Sequence, residues 1–85
     1  MPAAQFSPEE VAARGEAIYD EQIRPKLAGQ HQGHYLVLDI LSGEYEIDPD
    51  DLAATKRMLA RRPEAVLYGL RIGHPAAYRL GGVSN

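Results

Sequence analysis

The segment Tyr35-Leu36-Val37-Leu38-Asp39-Ile40 constrains this chain more than any other. It is too short for an isolated helix and lacks the alternation of a half-exposed strand. It therefore reads as a β-strand buried on much of both faces. Asp39 interrupts it, and a carboxylate in such a place is costly unless it is paired. With 85 residues there is room for one domain and one core. A domain of that size buries roughly 60–65% of the surface its unfolded chain exposes, so the core is thin.

Two helix starts flank this strand. Ser7-Pro8-Glu9-Glu10 is a capping box: Ser7 accepts from the N–H of Glu10, and Glu10 reaches back. Pro8 suits the first helical position, where its missing donor is harmless. The helix is expected from Pro8 to about Arg24, with Val11, Ala12, Gly15, Ile18, Tyr19, Gln22 and Ile23 on one stripe. Pro25 should end or kink it. The second start is Asp48-Pro49-Asp50-Asp51, with Asp48 as the expected N-cap and Pro49 as the first helical residue. That helix should run to about Arg62, with Leu52, Ala53, Lys56, Leu59 and Ala60 on one face, and Pro63 stops it.

Between and after the helices, the pattern is that of strands. Ser42-Gly43 is a turn, and Glu44 to Asp48 alternates, with Tyr45 and Ile47 inward. Ala65 to Ile72 forms a third strand, Gly73-His74-Pro75 a turn, and Ala76 to Leu80 a fourth strand. The order α-β-β-α-β-β and a right-handed crossover through the second helix give an α+β fold. Its sheet is expected to be antiparallel, in the order 2-1-3-4, with both helices on one face. One domain spans residues 1–85, with an ordered core over about 7–80.

Composition excludes several classes. Hydrophobic residues make up 45% and charged residues 25%, as in folded globular proteins. The net charge of −3 lacks the basic excess that phosphate binding favours. With no cysteine, there is no disulfide scaffold, thiolate zinc site or cysteine nucleophile. The first residues carry no basic, apolar signal pattern, and no stretch has the length of a membrane span. A cytoplasmic location follows as the expectation.

Candidate chemistry is sparse. Asp48, Asp50 and Asp51 are explained by helix capping, and they lack the glycine and distal glutamate of a calcium loop. His31 and His34 are three apart in a Gly- and Gln-rich connector, a weak metal signature. His74 suits a turn. No nucleophile, base and orienting group assemble from neighbouring motifs. Asp39 is expected to pair with Arg71 or with a backbone donor. The strongest functional signal is the last third, where Arg61, Arg62, Tyr68, Arg71, Tyr78 and Arg79 concentrate. Arginine and tyrosine dominate interface hot spots because each combines contact area with hydrogen bonding.

The strings Gly15-Glu16-Ala17-Ile18-Tyr19, Gly43-Glu44-Tyr45-Glu46-Ile47-Asp48, Leu67-Tyr68-Gly69-Leu70-Arg71-Ile72-Gly73 and Ala76-Ala77-Tyr78-Arg79-Leu80-Gly81-Gly82 resemble a family of small bacterial proteins without an assigned activity. The resemblance implies genes near small protease-like or toxin–antitoxin-type loci. The hairpin–helix–strand portion is similar to the HicB-type antitoxin domain, an analogy of fold alone.

The expectation is a non-catalytic protein-interaction module, without cofactor or metal. It would bind a protein partner through Arg61, Arg62, Tyr68, Arg71, Tyr78 and Arg79, and would form a homodimer through the C-terminal strand. The alternatives are a nucleic-acid-binding regulator using Arg61, Arg62, Arg71 and Arg79, and a small hydrolase or metal-dependent enzyme around the histidines and Asp39.

Overall fold

A computed structural model describes residues 6–74 of the chain. The capping box forms as expected at the start of α1 (Pro8–Ile18): the Ser7 hydroxyl accepts from the Glu10 N–H at 3.1 Å, and the Glu10 carboxylate accepts from the Ser7 N–H at 2.8 Å. Pro25 does not end the helical segment. A π-helical turn (Tyr19–Ile23) follows α1, and a short α2 (Arg24–Leu27) carries the proline. In a regular α-helix the Pro25 ring would press on the carbonyl of Glu21. The wider turn, in which the Arg24 N–H reaches the Tyr19 carbonyl five residues back, shifts the ladder just before that conflict. The segment ends at Ala28, in the left-handed conformation with φ 53°.

The strands are β1 (Tyr35–Asp39), β2 (Tyr45–Asp48) and β3 (Leu67–Arg71), with α3 (Asp51–Arg61) between the last two. They form an antiparallel sheet in the order β2-β1-β3. The chain is therefore mixed α+β, and these three strands stand in the expected relative order. The fourth strand expected over residues 76–80 lies outside the described residues.

The helices do not share one face of the sheet. Neighbouring residues of β1 point to opposite sides. Leu36, Leu38 and Ile40 join Tyr68, Leu70 and Ile72 in a cluster closed by Ile23 and Leu27 of the first helical segment. Val37 faces the other way and packs with Ala54 and Met58 of α3, flanked by Ala65 and Leu67. The sheet thus lies between the α1–α2 segment and α3. Cover on both sides is the physical reason that β1 is apolar at successive positions: Leu36 to Ile40 are all buried.

The second helix differs from expectation in start and facing. Its N-cap is Asp50, which accepts from the Leu52 N–H at 3.3 Å, whereas Asp48 ends β2 opposite Tyr35. Pairing with β1 claims Asp48 for the sheet, so the helix begins later. Its buried residues are Ala54 and Met58, while Leu52 is 59% and Leu59 39% exposed. The stripe facing the sheet is Ala54, Arg57, Met58 and Arg61, because that side of β2 presents carboxylates rather than apolar groups.

Gly15 sets the approach of α1 to β3. It is buried, and a Cβ there would collide with the base of the Tyr68 ring. Alanine gains about 1 kcal/mol over glycine in a helix, but overpacking of this kind costs about 1–3 kcal/mol. Gly15→Ala is expected to lower the midpoint of urea unfolding despite the better helix former. An unchanged or higher midpoint would show that α1 stands further from β3.

Candidate interaction surface

Asp39 is 2% exposed and is held by uncharged donors, two from the adjoining turn and one from the chain entering β3. Its Oδ1 accepts from the Leu41 N–H at 3.1 Å and the Val66 N–H at 3.0 Å, and its Oδ2 accepts from the Ser42 hydroxyl at 2.8 Å. Of the two expected pairings, the backbone one forms and the Arg71 one does not. Both side chains lie on the α3 side of the sheet, but β3 places Leu67 beside Asp39 and Arg71 beside Tyr35. Arg71 instead donates to the Gly33 carbonyl at 3.2 Å and lies 5.5 Å over the Tyr35 ring.

Burial pushes the Asp39 carboxyl up. The hydrogen bonds from Val66, Ser42 and Leu41 outweigh it, so the group titrates below its ordinary value. A depressed native pKa stabilises the fold above the unfolded-state value, about 4, and that contribution is lost as the pH falls through the native value. Glu44, lowered chiefly by its hydrogen bond from Arg62, acts in the same direction. Asp39→Ala should cost about 1–3 kcal/mol at neutral pH, because it removes the acceptor of two part-buried backbone N–H groups and of the Ser42 hydroxyl. Asp39→Asn should lose less stability than the wild type between about pH 6 and pH 2.5 in urea titrations. Parallel losses would assign acid sensitivity to other carboxylates.

The face under α3 carries a ladder of charges. Arg57 meets Glu46 at 2.9 Å and Asp48 at 3.6 Å, Arg61 meets Glu44 and Glu46 at 3.0 Å each, and Arg62 meets Glu44 at 2.9 Å. Alternate strand residues are spaced about 6.6 Å apart, and residues four apart on a helix about 6 Å. The acids of β2 and the arginines of α3 therefore stay in step. This match was the signal by which Arg57, not singled out from the sequence, could have been found.

The same arginines occupy the outer edge of β2. The Asp39 N–H donates to the Glu44 carbonyl at 2.9 Å, so alternation leaves the backbone groups of Tyr45 and Ile47 pointing away from β1. Arg57 donates to the Ile47 carbonyl at 2.9 Å, and Arg61 to the Tyr45 carbonyl at a longer 3.5 Å. At the opposite edge, Ile40 donates to the Val66 carbonyl and Ile72 to the His34 carbonyl. The backbone groups of Leu67, Gly69 and Arg71 therefore point outward from β3.

The six residues expected to meet a partner are not gathered into one patch. Arg61 and Arg62 sit beside β2, half-exposed and engaged with Glu44. Tyr68 is buried beneath α1, and its hydroxyl donates to Glu16 at 3.2 Å. Arg71 lies at the far end of β3, beside the connector that holds His31 and His34. Tyr78 and Arg79 lie outside the described residues. The two histidine rings stand edge-on at 5.8 Å, and among the described residues no group of three or more metal-ligating side chains converges. No described helix is long and apolar enough to cross a membrane.

Comparison with protein families, curated proteins and solved structures finds no match to this chain.

If the guanidinium groups shield the β2 edge, removing both should expose a pairing template. The double variant Arg57→Ala/Arg61→Ala is expected to self-associate with rising concentration in sedimentation, beyond any association of the wild type. Identical sedimentation of the two chains would mean that this edge needs no shield.

Proposed function

We propose that this chain is a small non-catalytic protein-interaction module that meets its partner on the β3 side of the sheet. The observation that carries this reading is the asymmetry of the two edges among the described residues. Arginine side chains cover the outward carbonyls of β2, whereas no such side chain covers the outward backbone groups of Leu67 and Gly69 in β3, and the Arg71 carbonyl accepts the turn bond from the His74 N–H. An uncovered strand edge is a general docking site for extended chain, because its main-chain groups supply affinity and adjoining side chains supply selectivity. Of the residues expected at the partner surface, Arg71 is on this side and Tyr78 and Arg79 follow it in the chain. Arg61 and Arg62 pair with Glu44 on the other side of the sheet and lie away from this surface.

The four-stranded order 2-1-3-4 belongs to this proposal, as does a homodimer formed through the C-terminal strand. So do a cytoplasmic location and a regulatory, antitoxin-like role beside a neighbouring gene product. The likeness to antitoxin domains suggests the class of partner, and fold likeness by itself carries no activity. Nucleic-acid binding is the weaker alternative, because Arg61 and Arg62 face carboxylates at one end of the sheet while Arg71 lies at the other.

Gly69 offers the test. Its N–H points outward, and a Cβ there meets only ordinary contacts with Leu36 and Val37. Gly69→Ala should retain the partner captured by the wild type from host cells and then reconstituted from purified chains. Gly69→Pro, which removes the outward donor, should weaken that binding at least about tenfold, the effect of losing roughly 1.4 kcal/mol. Equal binding by both variants, or no specific partner for the wild type, would overturn the proposal.

A further inference from the structure

A cavity of about 620 Å³ lies between the first helical segment and β3. Tyr68, Leu70 and Arg71 of β3 line it and no residue of β1 or β2 does, so it opens on the β3 side of the sheet. Ligand sites range over roughly 300–1,000 Å³ and combine an apolar floor with a few polar groups. The floor here is Leu27, Leu70 and Ile72, members of the core cluster that also line the cavity. The wall facing them begins at the π-helical turn, with Tyr19 and Asp20. Burial pushes the Tyr19 phenol up, so this wall is partly withdrawn from water. The charges at the mouth are unequal. Asp20 has a cation in Arg24 at 3.4 Å, whereas Glu16 meets the neutral Tyr68 hydroxyl at 3.2 Å and, among the described residues, no cation. The Arg71 guanidinium does not serve it, being drawn to the Gly33 carbonyl and the Tyr35 ring on the other side of the sheet.

We infer that this cavity receives a bulky apolar side chain of the protein partner, flanked in the partner's sequence by lysine or arginine. The inference rests on the proposed function for the existence of the partner and adds the chemistry by which the partner is chosen. Main-chain groups beside a strand edge supply affinity without regard to sequence, and a side-chain pocket next to them supplies selectivity. An apolar anchor withdrawn from water on Leu27, Leu70 and Ile72 is favoured by the area it buries. A cation beside the anchor meets Glu16, whose charge is otherwise unanswered, and an acid in its place is repelled.

The probe is acetyl-lysyl-phenylalanyl-lysine amide, added to the isotope-labelled full chain. The amide signals of Leu70, Ile72 and Gly73 are expected to shift and to saturate at millimolar peptide. The alanyl counterpart should bind at least about tenfold more weakly, since it lacks the ring that the floor takes out of water. Glutamates in place of both lysines should weaken binding at least about threefold, and Glu16→Gln should remove that preference. Gln30 is exposed and lines the cavity, and its side chain makes no hydrogen bond among the described residues. Gln30→Trp should therefore fill the space, abolish the shifts and weaken partner binding at least about tenfold, measured as for Gly69→Pro. Equal binding of the phenylalanyl and alanyl peptides, shifts elsewhere on the chain, or no shifts at millimolar peptide would overturn the inference and leave the proposed function to its own test. Peptide seated in the cavity while Gln30→Trp holds the partner like the wild type would overturn the assignment of the cavity to the partner. A wild type that captures no specific partner, with the peptide still seated here, would overturn the proposed function alone.

Discussion

The carboxylate of Asp39 is the interaction on which the sheet depends. It stands at the end of the central strand and is withdrawn from water. Through Leu41 and Ser42 it shapes the turn into β2, and through Val66 it fastens the chain entering β3. One buried group therefore fixes both neighbours of β1 at the same end. A charge in this position would oppose folding if it had no partners, and with three donors its desolvation is offset. The tie spans 27 residues between Asp39 and Val66, so it forms only when α3 has brought the chain back.

From that anchored end, the two sides of the sheet develop differently. The α1–α2 side is apolar throughout, with Leu36, Leu38, Tyr68 and Leu70 beneath Ile23 and Leu27. The α3 side has a small apolar centre at Val37, Ala54 and Met58, and its margin over β2 is ionic. Exposed ion pairs contribute little stability individually. Their structural importance lies in direction, because guanidinium groups drawn to Glu44, Glu46 and Asp48 also reach the carbonyls on the outer edge of β2. One edge is covered by this means, and among the described residues the β3 edge has no such arginine cover.

Local signals were the legible part of the sequence. The capping box at Ser7, the alternation of β3 and the two-sided burial of β1 each follow from contacts within a few residues, or from the pattern of one strand. Choices that the tertiary structure makes between local solutions were not legible. Pro25 could end a helix or be accommodated by a wider turn, and the packing of Ile23 and Leu27 on the sheet selects the second. Asp48 and Asp50 are equally good caps until strand pairing takes the first. Leu52 and Leu59 look like the buried face of α3 until the carboxylates of β2 draw Arg57 and Arg61 inward. The Asp39–Arg71 pair had the right face and the wrong register, since opposite charges on neighbouring strands meet only when pairing aligns them. Arg61 and Arg62 read as interface residues in the sequence because a basic cluster is visible there and the acids across from it are not.

The most direct test of this account is native-state hydrogen exchange at the Val66 amide, compared with the amides of Leu36 and Leu38 in β1. If the Asp39 carboxylate is the tie that fixes both neighbouring strands, the Val66 N–H should exchange only when the whole domain unfolds. Its protection would then equal that of the central strand and fall with it in denaturant. A Val66 amide that exchanges through local opening, at a free energy well below that of global unfolding, would contradict the account.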